Sequence, residues 1–349
     1  MEVNNLVNNF ISTRKLASIQ IVSDIKAHLN SDRLALAKVL GWQVVIQKEE
    51  FKIGQKVVYF EIDTLLPEKP WSEFMRARKF KVKTIKLRGE ISQGLILPLK
   101  IMGEDIKEND FEIGQNITEI IGVSKYEDDA DHKTETEVKT SNFPSFLVEK
   151  TDEPRIQSIP YMIDKFIGQS YYASLKYDGT SATYAIDPNN KETFYICSRN
   201  LTREYDPNDL YSSIADEYKI KENLLKYDCR YAIQGEIYGP KISKNYLQVK
   251  KISFAVFNIK DLMENRFLDM QELVDTCNKL NLPVVEIVEK GQSFNYSIEE
   301  LKNLSKGNYP GTKNPREGLV FRLQNEWHEK YRLSFKIIND DFLVKHGGK

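Results

Sequence analysis

The amino-acid sequence predicts an α+β protein in two parts, a small β-barrel followed by a larger domain built on short strands. Three observations carry this. From about Leu16 to Ile121, β-prone runs recur at even spacing and are cut by Gly, Pro and Asn, the pattern of a small barrel. The next stretch, 122–142, is polar and acidic with no apolar period. Beyond it, strand-like runs each carry a single lysine, glutamate or aromatic where packing alone would favour an apolar or neutral residue. A length of 349 residues is enough for two domains with separate cores.

At the N-terminus, Met1-Glu2-Val3-Asn4-Asn5 has neither a basic start nor an apolar core, so no signal peptide is expected, and no apolar run is long enough to cross a bilayer. Strands are expected around Ile19, Ile21 and Ile25, from Trp42 to Ile46, from Val57 to Ile62, and near Gly94-Leu95-Ile96-Leu97-Pro98. Phe51-Lys52-Ile53-Gly54-Gln55 and Phe111-Glu112-Ile113-Gly114-Gln115 echo each other while their surroundings do not, which predicts one turn used twice rather than a repeat. Between Arg76 and Arg88 basic residues alternate with Phe80 and Val82. On a strand this sets Lys81 and Lys83 on one face and apolar side chains on the other. Such a ribbon, with Lys86 and Arg88, can follow a phosphate backbone; lysines guarding a sheet edge would read the same way. The tract from Gly122 to Asn142, with Glu127, Asp128, Asp129 and Asp131, is expected to be a solvated linker.

Composition excludes more than it assigns. With 50 basic and 51 acidic side chains the net charge is -1, so nucleic-acid binding has to come from local clustering. Charged (29%) and hydrophobic (41%) fractions are those of an ordinary soluble protein. Cys197, Cys229 and Cys277 are widely spaced and form no C-x-x-C, which argues against a disulfide framework or a zinc site and fits a reducing intracellular compartment, cytoplasmic or nuclear. The scattered histidines, His28, His132, His328 and His346, are expected to be structural or on the surface.

The chemistry centres on Ser174-Leu175-Lys176-Tyr177-Asp178-Gly179-Thr180. Lys176 ends an apolar run and precedes Asp-Gly, which punctuates strands because Gly accepts positive φ, so its amine is expected on a short loop opening into a pocket. Alone, Lys-x-Asp-Gly is a weak pattern. Four segments follow it in order: Gln234-Gly235-Glu236-Ile237-Tyr238-Gly239, Phe254-Ala255-Val256-Phe257-Asn258-Ile259, Glu317-Gly318-Leu319-Val320-Phe321 and Leu333-Ser334-Phe335-Lys336. The five together resemble motifs I, III, IIIa, IV and V of the covalent nucleotidyltransferase superfamily, the ATP-dependent RNA and DNA ligases and mRNA capping enzymes. Asp24 to Leu34, followed by Gly41-Trp42-Gln43-Val44-Val45, resembles OB-fold modules that bind RNA. The barrel lies ahead of the transferase motifs, whereas DNA ligases and capping enzymes place theirs behind. Only Ile337 to Lys349 follows Lys336. This order resembles the Naegleria-type, fifth-family RNA ligases.

That resemblance implies an OB-fold domain over 1–121, a linker over 122–142 and a nucleotidyltransferase domain over 143–349, of antiparallel sheets flanked by helices. It implies an ATP-dependent RNA ligase, with magnesium or manganese, that joins 3′-hydroxyl and 5′-phosphate RNA ends through lysyl-AMP and an adenylylated 5′ end. RNA repair, a nicked duplex as substrate and a monomeric enzyme are expected. Lys176 would be the nucleophile, Lys336 a contact of the α-phosphate, and Glu236 and Glu317 the metal-site carboxylates. Leu175, Arg155, Arg199 and Asn200 would touch the nucleotide, a surface salt bridge being the alternative for Arg155. Phe254 and Val320 would sandwich the adenine, Phe257 being the alternative aromatic. Lys241 and Lys244 sit on a basic loop that either touches RNA ends or is a solvated turn. Ser334 departs from the pattern, standing where a first of two alternate lysines often occurs.

An amine attacks phosphorus only when unprotonated, and free lysine has a pKa of about 10.4. The site is therefore expected to favour neutral Lys176 through burial, a nearby cation such as Lys336, or a metal. Carboxylate oxygens suit magnesium and manganese. Two other readings remain at this stage. One is a capping or DNA-sealing relative; the other is a silent RNA-binding barrel, which would bind RNA in a salt-sensitive way with no covalent adenylate.

Overall fold

The protein is described by a computed structural model over residues 14–126, 138–325 and 333–346. Its chain forms two compact units: Met1–Asp131 with Gln157–Pro160 and Leu343–Lys349, and His132–Ile156 with Tyr161–Phe342. Among the described residues no helix is long and apolar enough to cross a membrane.

In the first unit the strands are β1 (Ala17–Ala27), β2 (Leu34–Val39), β3 (Trp42–Gln47), β4 (Lys56–Phe60), β5 (Thr64–Leu65), β6 (Lys81–Val82), β7 (Ile85–Leu87), β8 (Glu90–Ser92), β9 (Leu95–Pro98) and β10 (Ser124–Lys125). The main sheet runs β3-β2-β1-β4-β9. β1 serves two partners: Ala17 to Ile21 pair with β4 and, with a register shift between Val22 and Asp24, Val22 to Ala27 pair with β2. A shift of this kind bends a strand and raises its twist, which lets one strand curl a sheet toward closure. Ala17 and Ile19 face a core with Val58, Phe60, Val82 and Ile117.

The two echoing segments make the same turn. Gln55 and Gln115 each donate their main-chain N–H to the carbonyl three residues back at 3.1 Å, and their side-chain oxygens accept from Lys52 and Glu112 at 3.0 Å. Gly54 and Gly114, at φ of 85° and 82°, then donate to β1 at Val22 and Ile19.

The basic stretch is not one strand, which corrects the sequence expectation. Pro70 opens a 3-10 helix over Pro70–Arg78, Lys79 and Phe80 turn left-handed at φ of 52° and 59°, and only the short β6 and β7 follow. Its two-sidedness survives. Phe80 and Val82 enter the core, while the ammonium groups of Lys81 and Lys83 lie 3.6 and 5.3 Å from the ring centre of Tyr126. His28 is buried, with Nε2 3.1 Å from the Leu87 carbonyl oxygen, a structural role as expected.

The second unit contains β11 (Thr140–Asn142), β12 (Tyr171–Lys176), β13 (Thr180–Asp187), β14 (Asn190–Cys197), β15 (Leu201–Arg203), β16 (Tyr231–Tyr238), β17 (Ser253–Asp261), β18 (Arg266–Phe267), β19 (Ile287–Gly291), β20 (Gly318–Leu323) and β21 (Ser334–Ile338). They form two antiparallel sheets, β11-β15-β14-β13-β16-β17-β18 and β19-β12-β20-β21. Helices Leu210–Glu217, Ile220–Lys226 and Met270–Leu280 bury Ile214, Leu224 and Leu273 in one core with Tyr184, Ile233 and Phe254 of the larger sheet. Asp209 starts the first of these helices by accepting from the N–H groups of Tyr211 and Ser212, and Asp269 starts the third in a capping box with Glu272.

Within the smaller sheet β12, β20 and β21 pair without a register shift. Tyr171, Phe321 and Phe335 join Phe166 and Phe294 in an aromatic cluster, with Phe321 stacked on Phe335 at 5.2 Å. One step along each strand, Tyr172, Val320 and Lys336 face the other side. Cys197, Cys229 and Cys277 are free and buried. Of the predicted linker, Glu127 to Glu137 lie outside the described residues, as do His132 and His328; the tract's flanks are strands, β10 on β5 and β11 on β15.

Candidate active site

Lys176 is the last residue of β12, as its place before Asp-Gly predicts, and Tyr177 to Gly179 carry the chain into β13 of the larger sheet. Register sets Lys176 opposite Gly318, Ser174 opposite Val320, and Val320 opposite Lys336. Residues paired in this way share a face, so Lys176, Val320 and Lys336 look the same way. Glu317, just ahead of β20, accepts a hydrogen bond from Lys176 Nζ at 2.8 Å; the two side chains are 25% and 16% exposed. Glu236 comes from β16, close enough for its charge to act on Lys176. Two glycines allow these approaches. A Cβ on Gly179 would lie 2.2 Å from the Ile237 carbonyl oxygen, and one on Gly318, whose φ is 157°, would lie 2.2 Å from that of Ile337.

The electrostatics reverse one expectation. Burial pulls the Lys176 pKa down, but Glu317 and Glu236 outweigh it, and the amine is held above its ordinary value, as an ammonium. The group driven toward neutrality is Lys336, lowered to about 7 by burial and then by the positive charges of Arg155 and Lys176. Glu236 is pushed up to about 8 by burial; Lys176 pulls it down, while Glu317 and Asp178 raise it further. Among the described residues no three His, Cys, Asp or Glu side chains converge as a ready metal cage. Glu236 and Glu317 nonetheless offer hard oxygen donors in a mutually repulsive, sheltered site. A divalent ion fits that setting, sharing one or two carboxylates with water and phosphate oxygens.

The other predicted residues divide. Arg155 bridges in parallel to Lys336 and Lys336 N–H bonds the Pro154 carbonyl at 2.8 Å, so Arg155 is brought to the site. Arg199 pairs with Asp152 and its charge reaches Glu236; Asn200 beside it is exposed in the turn after β14. Leu175 is buried, points away from Lys176 and donates its N–H to Glu286 at 2.8 Å, so its side chain is not brought to the site. Lys241 and Lys244 are exposed on a loop whose Ser243 hydroxyl donates to Asp178 at 2.5 Å. Lys86 and Arg88 are exposed in the first unit.

Phe254 is a correction. It is fully buried on the helix side of the larger sheet, over Gly235, where a Cβ would meet its ring at 2.4 Å. β17 carries an extra residue: Val256 pairs with Gly235, yet Asn258 pairs with Gln234. The bulge resets the alternation, so Asn258 no longer shares the side of Phe254 and Val256. Phe257, the extra residue, is half-buried, its ring 5.9 Å from the guanidinium of Arg322. Arg322 lies on the face of Val320 and Lys336.

Three groups escaped the sequence reading. Arg322 is 2% exposed and donates to Glu153 at 2.7 Å, and the Ser334 hydroxyl donates to the other oxygen of Glu153. Ser334 thus has a job where a lysine would crowd a second cation against Arg322. Tyr309 places its hydroxyl between Lys176 and Glu317. Its setting, Asn308-Tyr309-Pro310-Gly311, reads as a plain turn and carries no chemical signal.

Comparison with known proteins agrees with this architecture. Residues 16–99 match an OB-fold domain model, and residues 169–338 match the RNA ligase family. No curated protein matches by sequence. Among solved structures, Naegleria gruberi RNA ligase with PPi superposes with a TM-score of 0.87 at 29% identity, covering 97% of this chain and 100% of that one. Two of its mutants, one with AMP and Mn and one with ATP and Mn, superpose at 0.86 and 29% identity, covering 96% of this chain and 100% of theirs. With an OB-fold domain ahead of a domain that holds a lysine and two glutamates at one end of paired sheets, the chain carries an RNA ligase domain over residues 169–338.

Proposed function

We propose that this ATP-dependent RNA ligase uses Lys176 as its nucleophile, on a strand end that faces Glu317, Glu236 and Lys336. One observation carries the reading: the 2.8 Å pair of Lys176 with Glu317. Once its proton is lost, the Lys176 amine forms a bond to the α-phosphorus of ATP as the bond to the pyrophosphate oxygen breaks. AMP then passes to a 5′-phosphate, and a 3′-hydroxyl displaces AMP to join the strands. Lys336 and Arg155 face the phosphates, where fixed positive charge stabilises the transferring group. Phe257 and Val320 suit the two walls of an adenine slot, and Arg199 a contact to the ribose or phosphates. Glu236 and Glu317 would hold magnesium or manganese. That ion would offset the charge of the triphosphate and compete with Lys176 for Glu317.

RNA is held first by charge. In the N-terminal unit a cavity of about 540 Å³ is lined by Arg78, Lys81, Lys83 and Lys86. That cluster, with the nearby Arg88, suits a phosphate backbone. Lys241 and Lys244, on the loop tied to Asp178 through Ser243, suit the strand ends. The reading extends to nicked RNA duplexes and RNA repair by a monomer inside the cell. It is tested by incubating protein and its Lys176→Met variant with labelled ATP and then with nicked duplexes that differ only in ribose or deoxyribose at the break. Label is expected on the parent alone, with sealing that depends on a ribose terminus. Equal labelling of the variant would falsify the assignment of Lys176; sealing indifferent to sugar would remove RNA repair.

A further inference from the structure

We propose that Tyr309 is a positioning residue for nucleotide transfer, its hydroxyl locking the main chain of the Lys176 loop to that of Glu317. The inference rests on the reading of Lys176 as nucleophile and adds a residue outside the five motifs. The phenol oxygen donates to the Lys176 carbonyl at 2.9 Å and accepts the N–H of Asp178 at 3.1 Å and that of Glu317 at 3.2 Å. A phenol has one proton to give and two lone pairs to receive with, so its whole capacity is spent here. The directions are fixed as well. Both N–H groups can only donate, so the phenol proton has to point at the Lys176 oxygen. Burial, then the charge of Glu317, holds that proton far above the ordinary tyrosine range.

The anchor is independent of the parts it joins. Tyr309 is 1% exposed, packs with Tyr246 and Phe342, and fixes its own main chain through an N–H bond to Asn314 at 3.0 Å. Its place at the end of the sheet matters. Lys176 opposite Gly318 is the last pair between β12 and β20, so Glu317 and the residues after Lys176 lie beyond the ladder. The hydroxyl supplies what the ladder stops supplying there, a rung joining the two chains. Without it, half-buried N–H and carbonyl groups would have to find new partners, and the amine and carboxylate could drift apart. A misplacement of about 1 Å can cost on the order of a hundredfold in rate.

The test uses the full chain and three variants, Tyr309→Phe, Phe342→Leu and Lys176→Met, and follows label transfer from ATP across ATP concentrations, alongside thermal melting. Tyr309→Phe is expected to lower the maximal rate roughly ten- to a hundredfold, with KM for ATP changed less than about threefold. Phe342→Leu disturbs the same ring cluster but spares the hydroxyl, and is expected to stay within about threefold of the parent. The proposal is overturned if Tyr309→Phe labels within threefold of the parent or if Phe342→Leu loses as much. It is equally overturned if Tyr309→Phe melts at the assay temperature, since the hydroxyl would then be holding the fold rather than the geometry. Lys176→Met separates the two levels: residual labelling there removes the nucleophile itself, whereas an inert Lys176→Met beside a normal Tyr309→Phe removes only the positioning role.

Discussion

Lys336 is half-buried with Arg155 and Lys176 as cationic neighbours, and its pKa is lowered to about 7. A lysine depressed in this way costs stability most where folded and unfolded chains both hold the proton, below about pH 7. The cost fades as pH rises toward the unfolded value of about 10.4. Replacing Lys336 with methionine, similar in length and uncharged, is therefore expected to raise the nucleotide-free melting point by roughly 2–6 °C at pH 6 and by much less at pH 9. The same change should abolish label transfer. A melting point lowered at pH 6 would contradict this account. At this scale the sequence was a good guide to which residues the fold brings together and a weaker one to their state. The motif order brought out Lys176, Glu236, Glu317 and Lys336, but the charge on Lys176 depends on how closely two strand ends meet, which spacing along the chain does not encode. Phe254 failed for a related reason: alternation along β17 does not say which of its faces meets the helices, and the unpaired Phe257 moves Asn258, a polar neighbour on the Phe254 side by simple alternation, to the opposite face.

Turns and strand ends decide how near the elements come. Gly318 has φ of 157° and no room for a Cβ beside the Ile337 carbonyl. Gly318→Ala should destabilise the protein by about 1–3 kcal/mol and separate Glu317 from Lys176, seen as a lower melting point together with slower labelling. An unchanged melting point would mean that β20 and β21 can shift at no cost. Some elements were legible because their signal is local. The twin Phe-x-Ile-Gly-Gln turns follow from a glycine with positive φ and a glutamine that closes the loop on its own main chain. The basic stretch from Arg76 to Arg88 did not form one strand, because a 3-10 helix and the left-handed turn at Lys79 and Phe80 divide it, and alternating charge does not reveal a turn made by non-glycine residues.

For the molecule as a whole, fold class and domain order could be read from strand spacing and motif order, while the contents of the cleft depended on contacts between distant segments, such as Arg322 with Glu153. The first unit is proposed to grip RNA by charge and the second to do the chemistry, and the two are separable by salt. Lys81→Ala and Lys83→Ala should each weaken RNA binding alike for all sequences and reduce the salt dependence by about one counterion, while labelling by ATP stays at the parent rate. Loss of labelling in either variant would contradict that division. The pair of Lys176 with Glu317 has a further consequence. An amine clasped by a carboxylate in this way is a poor target for stray electrophiles, so cyanate or an activated ester should modify the surface lysines first and leave this one intact. The resting protein keeps its reactive group sheathed until a reaction partner arrives.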